Sequence, residues 1–541
     1  FFSILKLSAL SFRNYYFKSN YYNKKLITFI PNRIFYNPSS HLSASLSPAG
    51  SDFYKVTEIT PELLWKTNIK DKRKFENLHS FLWLSKLDRK NSKIITKNII
   101  YSWMNNFFNY ETSTWEIEIT SKRIIAWISN TDITLEDSDK KYKEKFFLSI
   151  IKQSNFLLKN LKNLFYEPTK IVCCAAIILS GIIFKENNIS YETGIKELEK
   201  IIKNYFDEDG FPKSRNPEEV FISIKYLILI REWLKESQNP IPNFLNEIIN
   251  KCGKCYAMLS CSNKQFPLFN GATEINYKDY DIFLKTLKYK FISSNHEFAD
   301  LVKIKKKKFE FFIDCGNPPP NNFTKCYQAG CLAFELISNK QKVICNTGYG
   351  KYLSPKLTSL SRSTAAHSTL YINDTSSCIF QKNKLINKVY GNSLLEKHKI
   401  INKNYTENKE FFSIIASHNG YEKRFGYIHK RSIKISKKED KIFGEDYLKR
   451  TKNLSNFLIY FVRFHIYPGS KIVKTKGGNS ILISLPSKEG WLLKSETNDF
   501  QIEKNIFLGN KNKIINNESV AISGNIDKEI VLIKWEINRV S

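Results

Sequence analysis

The fold is decided by residues 309–336, FEFFIDCGNPPPNNFTKCYQAGCLAFEL. Two apolar runs, at 309–314 and 332–336, are rich in Phe, Leu and Ile, and a polar segment that begins with Cys315, Gly316, Asn317 and Pro318 separates them. Short apolar runs bounded by Gly, Asn and Pro are typical of strands joined by turns. This stretch therefore predicts two strands of an all-β domain.

The same pattern continues toward the C-terminus. Strand-like runs follow at 342–345, 369–372, 433–436, 458–465, 480–485 and 530–537, and turn signals such as 476–479 lie between them. Many short strands at near-regular spacing predict an antiparallel β-sandwich. Its predicted extent is residues 293–541.

Before residue 290 the apolar period is helical. Val220, Ile224, Leu227, Ile230 and Leu234 recur on one face, and breakers at 167–169, 209–212 and 239–242 separate successive runs. A train of helices buries its apolar faces in a bundle, a solenoid or an (α/α) toroid. The predicted fold class is multidomain, a toroid of helical hairpins at 56–292 followed by the sandwich.

Composition excludes some classes of protein and leaves others open. The chain has 541 residues, and 84 Lys and Arg against 52 Asp and Glu give a formal net charge of +32. Such a charge favours an anionic partner, but nucleic-acid binding rests on charge alone, because no aromatic–basic recognition motif accompanies it. No apolar run reaches the length of a membrane span. We therefore predict no nucleic-acid partner and no membrane span.

The N-terminus and the cysteines bear on the compartment. Residues 1–55 are expected to be a weakly structured or targeting extension, yet they lack a clear signal-peptide pattern. The ten cysteines show no disulfide framework, and packing is the better interpretation. A cytoplasmic location therefore stays open, as does the oligomeric state.

One candidate site is the loop at 209–217, DGFPKSRNP. Arg215 offers a planar fork for a carboxylate, Asn216 offers an amide donor, and Lys213 adds positive charge. The alternative is an ordinary turn in which Asn216 caps a helix that starts at Pro217. Both interpretations stay open.

A second candidate lies at 360–374, LSRSTAAHSTLYIND. Small residues deliver His367 to the start of a strand, with Arg362 just upstream. His367 and a later histidine, His418, could share a metal ion, with Asp374 as a further ligand, because neutral imidazole is the commonest zinc ligand.

Together these segments resemble the heparinase II/III-like family of polysaccharide lyases. The segments that carry the resemblance are DCGNPP at 314–319, AGCLAFEL at 329–336, the stretch from Arg362 to Thr369, HNGY at 418–421 through HKR at 429–431, VRFH at 462–465 and Trp491, with looser similarity at 78–84, 209–217 and 269–271.

The resemblance implies a carbon–oxygen lyase that cleaves an acidic polysaccharide, such as a glycosaminoglycan or alginate, by β-elimination. A donor must neutralise the uronate carboxylate, a base must take the C5 proton, and an acid must protonate the leaving oxygen. His367 matches the family's sandwich histidine and is carried over as a candidate acid or base. Arg215 and Asn216 are the candidates for neutralising the carboxylate, and Tyr277 is a further catalytic candidate. The substrate-binding candidates are Arg362, Asn270 and Lys213. The resemblance also implies a structural zinc and a place in the periplasm or cell envelope.

The sequence departs from the family's catalytic pattern. Thr169 and Lys170 stand where an Asn-His pair is common, and Ala365 replaces a second histidine. After the Asp-Gly loop the family has a Tyr-His pair, where this sequence has Arg215, Asn216 and Pro217. The alternative function is therefore a non-catalytic carbohydrate-binding or envelope-polysaccharide maturation protein that keeps the fold.

Overall fold

Helices occupy the first half of the chain and strands the second, as the change in apolar period predicts. The computed structural model describes residues 2–47, 60–65, 69–383, 385–387, 391, 393–454, 457–496 and 500–540. The chain divides into unit 1, residues 1–206 and 221–252, and unit 2, residues 207–220 and 253–541. The predicted boundary near 292 differs from this division, because the loop at 207–220 and residues 253–292 cluster with the strands.

The bounds of the α-helices are α1 Phe2–Lys18, α2 Asn20–Lys25, α3 Ser40–Ala44, α4 Pro61–Leu64, α5 Lys72–Ser80, α6 Lys93–Phe107, α7 Ile117–Ile128, α8 Thr131–Thr134, α9 Lys140–Asn160, α10 Glu167–Ile183, α11 Asn188–Tyr205, α12 Pro217–Glu236, α13 Asn243–Leu259, α14 Lys278–Thr286, α15 Pro355–Ser361 and α16 Glu422–Phe425. Some helices begin where a side chain caps the first turn, as Asp71, Asp139 and Ser354 do for α5, α9 and α15. Among the described residues, no helix is both long and apolar enough to cross a bilayer.

Helices α10 and α11 form the tightest hairpin of unit 1. A Cβ at Gly181 would lie 2.5 Å from the backbone nitrogen of Tyr191, and one at Gly194 would lie 2.6 Å from Ile178. Helix α10 is buried on every side from Ile171 to Ile183 rather than on one face. The absent side chains therefore let the two backbones approach, and the apolar α10 fills the centre of the unit.

The N-terminal residues differ from the predicted weakly structured extension. Over the described range 2–47 they form α1 to α3, and Phe17 packs against Tyr110 and Phe156. Asn155 donates a hydrogen bond to the Leu26 carbonyl at 2.8 Å. Phe17 and Tyr22 are buried and contact Phe156 and Asn160 of α9. This burial offsets the entropy of ordering the segment. Residues 48–55 lie outside the described residues.

Unit 2 is a sandwich of antiparallel strands. Their bounds are β1 Glu297–Phe298, β2 Leu301–Lys305, β3 Phe309–Asp314, β4 Phe334–Ser338, β5 Gln341–Cys345, β6 Leu370–Ile372, β7 Ile379–Phe380, β8 Leu394–Glu396, β9 Ile400–Glu407, β10 Phe411–Tyr421, β11 Tyr427–Ser436, β12 Lys441–Arg450, β13 Ile459–Ile466, β14 Lys471–Lys474, β15 Ser480–Ser484, β16 Gly490–Ser495, β17 Phe500–Phe507, β18 Ile515–Asn525 and β19 Ile530–Arg539.

These strands form two large sheets within the described residues. One sheet has the order β1-β2-β3-β4-β5-β13-β18-β17, with β6 beside β13, and the other has the order β14-β15-β16-β19-β12-β11-β10-β9. Apolar residues from both sheets share one core, in which Phe334 stacks on Trp535 at 5.5 Å. The alternation seen in the sequence thus predicted the sandwich correctly.

Candidate functional site

Asp314, at the end of β3, is the centre of a buried polar network in unit 2. Its carboxylate accepts hydrogen bonds from Asn270 Nδ2 at 3.0 Å and from the Gly316 amide at 3.0 Å, and it pairs with the Arg215 guanidinium. Strand β3 delivers the carboxylate and the turn after it delivers the Gly316 amide. Residues far apart in sequence therefore meet at one carboxylate.

Each of the three nitrogens of the Arg215 guanidinium donates a hydrogen bond. Besides the Asp314 pair, Nε donates to the Ala299 carbonyl at 2.9 Å and Nη1 donates to the Asn317 carbonyl at 3.1 Å. Burial alone would lower the pKa of Arg215, but the neighbouring carboxylate outweighs this effect and the pKa is raised. The predicted carboxylate-neutralising donor is thus committed to holding the loop on the sandwich.

Asn216 behaves as the helix cap that the alternative interpretation predicted. Its Oδ1 accepts the Glu218 amide at 2.9 Å, and Pro217 follows as the first helical residue of α12. Gly271 lies beside it with φ +98°, where a Cβ would be 3.2 Å from Asn216 Nδ2 and 2.5 Å from Cys326. The Asn216 side chain therefore sits in a confined space.

Acidic residues of the first turn of α12 complete the network. Glu218 pairs with Lys511 at 2.6 Å and accepts from the Thr273 hydroxyl at 2.7 Å. Burial acts to raise its pKa, yet the Lys511 charge prevails and the pKa is lowered. Lys213, predicted to bind substrate, is half-buried on the same loop.

Asn270 and Arg362, also predicted to bind substrate, are structural in their contacts. Asn270 has a left-handed backbone, with φ 54°, and its Nδ2 donates to the Arg215 carbonyl at 3.2 Å as well as to Asp314. Arg362 donates to the Tyr327 carbonyl at 2.7 Å and to the Thr324 carbonyl at 3.0 Å. Both side chains are buried, and both hold loops together.

His367 is a neutral imidazole under the backbone of Gly330. Its Nδ1 lies 2.8 Å from the Ser363 carbonyl, so Nδ1 carries the proton and Nε2 is an acceptor without a hydrogen-bond partner in the part of the chain that the structure describes. Burial lowers the pKa of His367 to about 4. A Cβ at Gly330 would lie 2.6 Å from the ring. The ring therefore has an unprotonated Nε2 that could accept a proton, but the backbone at Gly330 lies against it.

The structure does not assemble the predicted metal ligands His367, His418 and Asp374. Both ring nitrogens of His418 are engaged, Nδ1 by the Gly420 amide at 3.1 Å and Nε2 by His429 at 3.2 Å, and Asp374 lies on an exposed turn. Within the described ranges, no group of three His, Cys, Asp or Glu side chains could hold a metal ion. The residues present do not fit the implied zinc.

His418 instead belongs to a buried chain of hydrogen bonds that the sequence did not reveal. His429 Nε2 lies 2.7 Å from Asp446, and Asp446 also accepts two hydrogen bonds from Arg431, at 2.8 and 3.0 Å. Burial would raise the pKa of Asp446, but Arg431 and His429 hold it well below its usual range. Only the alternation of polar and apolar residues on β11 and β12 hinted that these side chains point into the core.

Tyr277, the remaining predicted catalytic residue, lies in an aromatic cluster away from this network. Its hydroxyl donates to the Cys261 carbonyl at 2.7 Å, and its ring packs 5.0 Å from Phe266 and 5.6 Å from Tyr256. Burial raises its pKa above the ordinary value. These contacts favour a structural role.

A helical unit followed by an antiparallel sandwich is the toroid-plus-sandwich fold that several polysaccharide lyases share. Residues 297–536 match the model of the family described as Heparinase II/III-like, C-terminal. The resemblance stated from the sequence is confirmed.

Solved structures and one curated relative extend the comparison to most of the chain. A heparinase III matches with a TM-score of 0.69 at 13% identity, covering 93% of this chain and 86% of that one. A mutant of heparan sulfate lyase HepC from Pedobacter heparinus matches with a TM-score of 0.65 at 12% identity, covering 96% and 87%. FtsZ-localized protein C of Caulobacter vibrioides is 22% identical over 450 residues, 79% of this chain and 75% of the relative. At these identities the structural matches show the fold alone.

Proposed function

We propose that this protein binds an acidic polysaccharide of the cell envelope and uses the lyase fold without β-elimination. The observation that carries the proposal is that three of the four residues expected to perform the chemistry are engaged in other contacts. Arg215 donates to Asp314 and to two carbonyls, Asn216 caps α12, and the Tyr277 hydroxyl donates to a carbonyl.

Elimination makes demands that these contacts oppose. The carboxylate of the substrate needs a donor that is free to approach it, and the C5 proton needs a base within about 3 Å. Moving Arg215 to a substrate would leave Asp314 buried without its cation, which costs about 3–5 kcal/mol. A guanidinium that stabilises its own fold this strongly is a poor donor to a ligand.

Charge and similarity support the choice of partner. The formal net charge of +32 attracts a polyanion at long range. The polysaccharide lyases with the same fold and the relative named for localisation with FtsZ support a partner in the cell envelope. Binding of this kind weakens as salt rises, because exposed charges are screened.

A second candidate, the lyase itself, is favoured by one observation. His367 presents an unprotonated Nε2 with no hydrogen-bond partner among the described residues, while Nδ1 is fixed on a carbonyl. That is the form of imidazole that accepts a proton. The ring is 1% exposed, so a substrate would reach Nε2 only if the segment around Gly330 moved.

The test is a paired assay on heparan, chondroitin, alginate and polyglucuronate. Ultraviolet absorbance of the unsaturated uronate reports elimination, and calorimetry at low and high salt reports binding. We expect salt-sensitive binding to at least one polymer and no absorbance change. Lys213→Gln should weaken binding, whereas the matched control Lys438→Gln, an exposed lysine of the sandwich, should not.

Each result decides between the candidates. An absorbance rise that His367→Ala abolishes would establish the lyase and overturn the proposal. Absence of binding to every polymer at low salt would remove both candidates.

A further inference from the structure

Unit 1 contains a cavity of about 190 Å³ that the proposed function does not use. It lies among α4, α5, α6 and the turn before α7. The residues of its wall on which the argument rests are Trp65, Phe75, His79, Phe107, Glu111 and Thr114. Aromatic faces and hydrogen-bonding groups thus share one small space.

Arg123 on α7 holds two backbone segments of this wall in place. The guanidinium is fully buried and donates to the His79 carbonyl at 3.0 Å and to the Thr114 carbonyl at 3.0 Å, with its plane 4.1 Å from the centre of the Trp103 ring. Planar guanidinium groups fix several acceptors at once. The wall of the cavity is therefore ordered before any ligand enters.

The tautomer of His79 follows from its neighbour. Trp103 Nε1–H can only donate, and it lies 3.1 Å from His79 Nδ1, so Nδ1 is the acceptor and the proton sits on Nε2. Burial and the nearby Arg123 lower the pKa of His79 to about 3, which keeps the ring neutral. Within the described residues Nε2–H has no protein acceptor. It is a fixed donor on the wall of the cavity.

Glu111 supplies the matching acceptor. Its carboxylate is oriented by the Ser113 hydroxyl at 2.6 Å and the Thr114 amide at 3.0 Å. Burial acts to raise its pKa, but these hydrogen bonds outweigh it and the pKa is lowered, so the group is an anion at neutral pH. The Ser113 amide, at 3.5 Å, is a third donor, and three donated bonds still leave a lone pair on the carboxylate for a ligand.

The aromatic residues form walls at right angles. Phe107 is nearly perpendicular to Trp65, at 89°, and to His79, at 82°. Two polar atoms of the same walls, Trp65 Nε1 and Thr114 Oγ1, have no hydrogen-bond partner in the described part of the chain. A ligand with hydroxyl groups would give the wall hydrogen bonds that it lacks without one.

We propose that this cavity binds a single sugar ring that carries no acidic group, a neutral or N-acetylated hexose, through a donor from His79 Nε2 and an acceptor at Glu111. A sugar has apolar C–H faces for the aromatic walls and hydroxyls that both accept and donate. A uronate is disfavoured because Glu111 would repel its carboxylate. Resting on the proposed function, the inference specifies that unit 1 recognises the non-acidic units of the polysaccharide.

The test titrates the full chain with N-acetylglucosamine, glucose and glucuronate, followed by calorimetry and saturation-transfer NMR. We expect a millimolar Kd for at least one neutral sugar and at least tenfold weaker binding of glucuronate. Glu111→Gln should raise the Kd of the neutral sugar at least fivefold and reduce the difference between this Kd and that of glucuronate. The matched control Glu144→Gln, an exposed acid on α9, should change neither.

Every outcome bears on the proposal. The proposal would be overturned if glucuronate bound as tightly as the neutral sugars, or if no sugar bound at all. It would also be overturned if Glu111→Gln, with a native melting temperature, bound the neutral sugar with an unchanged Kd. Tetramethylammonium that binds wild type and is lost with Glu111→Gln, without sugar binding, would make the cavity a cation site. If the neutral sugar binds while every acidic polymer fails, the proposed function falls and the sugar cavity stands.

Discussion

Each of the two units buries an arginine, and the two guanidinium groups are satisfied in opposite ways. In unit 2, Arg215 faces the Asp314 carboxylate, and its pKa is raised once the attraction outweighs burial. In unit 1, Arg123 has no carboxylate within ion-pairing distance among the described residues, and burial lowers its pKa well below the usual value. Its acceptors are neutral, two carbonyls, Gln153 and Thr120.

The difference concerns what each arginine holds. Arg215 joins a loop to the sandwich through one strong pair, and the loss of either partner strands a charge. Arg123 spreads its hydrogen bonds over four neutral groups, so no partner is left charged if it is removed. The ion pair of Arg215 makes either partner costly to replace, and the hydrogen bonds of Arg123 order the wall of the cavity.

The largest expected effect comes from removing the partner of Arg215. Asp314→Ala leaves the guanidinium buried and uncompensated, and we expect unfolding to become easier by about 3–5 kcal/mol. The measurement is equilibrium unfolding in urea. The double change Arg215→Met with Asp314→Leu should cost less than Asp314→Ala alone, because no charge is stranded. If the double variant were less stable than Asp314→Ala and than Arg215→Met alone, the pairing of the two charges would not explain the loss.

Features that depend on neighbouring residues could be predicted from the sequence, whereas contacts between residues far apart in the chain could not. Periodicity predicted the strand at 309–314 and the face of α12, whose residues from Val220 to Leu234 are buried. The helix-cap interpretation of Asn216 is local and was available from Asn-Pro. The ion pair of Arg215 with Asp314 joins residues 99 positions apart, and no local pattern specifies such a contact.

The candidate site was less predictable than the fold for the same reason. Arg215, Asn216 and His367 were recognised as polar residues in unusual settings, but whether a polar group faces a ligand or a backbone carbonyl is decided by tertiary packing. Arg123 lies in a run, TSKRIIAW at 120–127, that has the composition of an ordinary amphipathic helix. Nothing in that run announces that its arginine is buried.

The next effect concerns acid and the neutral histidines of both units. His367 has a pKa of about 4 in the folded chain, below the ordinary value of about 6.5, so the unfolded chain binds the proton first. The contribution of neutral His367 to the unfolding free energy is therefore fully present above pH ~6.5. It falls as the pH drops toward 4, by about 3 kcal/mol. Urea midpoints from pH 7 to 4 test this.

The control for the acid effect is a residue that cannot titrate. His367→Gln should reduce the slope of unfolding free energy against pH between pH ~6.5 and 4, whatever its effect at pH 7, while the other buried histidines keep the remainder of the slope. An unchanged slope would mean that His367 is not held neutral. His79 in unit 1, with a pKa of about 3, should show the same sign over a window that extends to lower pH.

Removing Arg123 should lower the unfolding free energy less than leaving Arg215 buried without its carboxylate. Arg123→Met gives up four hydrogen bonds but also relieves the burial of an unpaired cation, and we expect a net loss of about 1–2 kcal/mol in the unfolding free energy. Arg123→Lys keeps the charge and loses the planar fork, so it should be no more stable than Arg123→Met. A lysine variant that is as stable as wild type would show that charge, not geometry, is what the site requires.

The smallest effect is expected where the charges are in water. Lys203 and Glu199 pair at 2.6 Å on α11, and their side chains are 69% and 39% exposed. Lys203→Met should shift the unfolding free energy by no more than about 0.5 kcal/mol, because solvent and salt already screen the pair. The distance in this pair is as short as in many buried contacts of unit 2, so distance is matched and exposure differs. If urea unfolding of Lys203→Met approached the loss seen with Asp314→Ala, burial would not be the cause of the strength of the Arg215 pair, and the contrast between the two buried arginines would lose its physical basis.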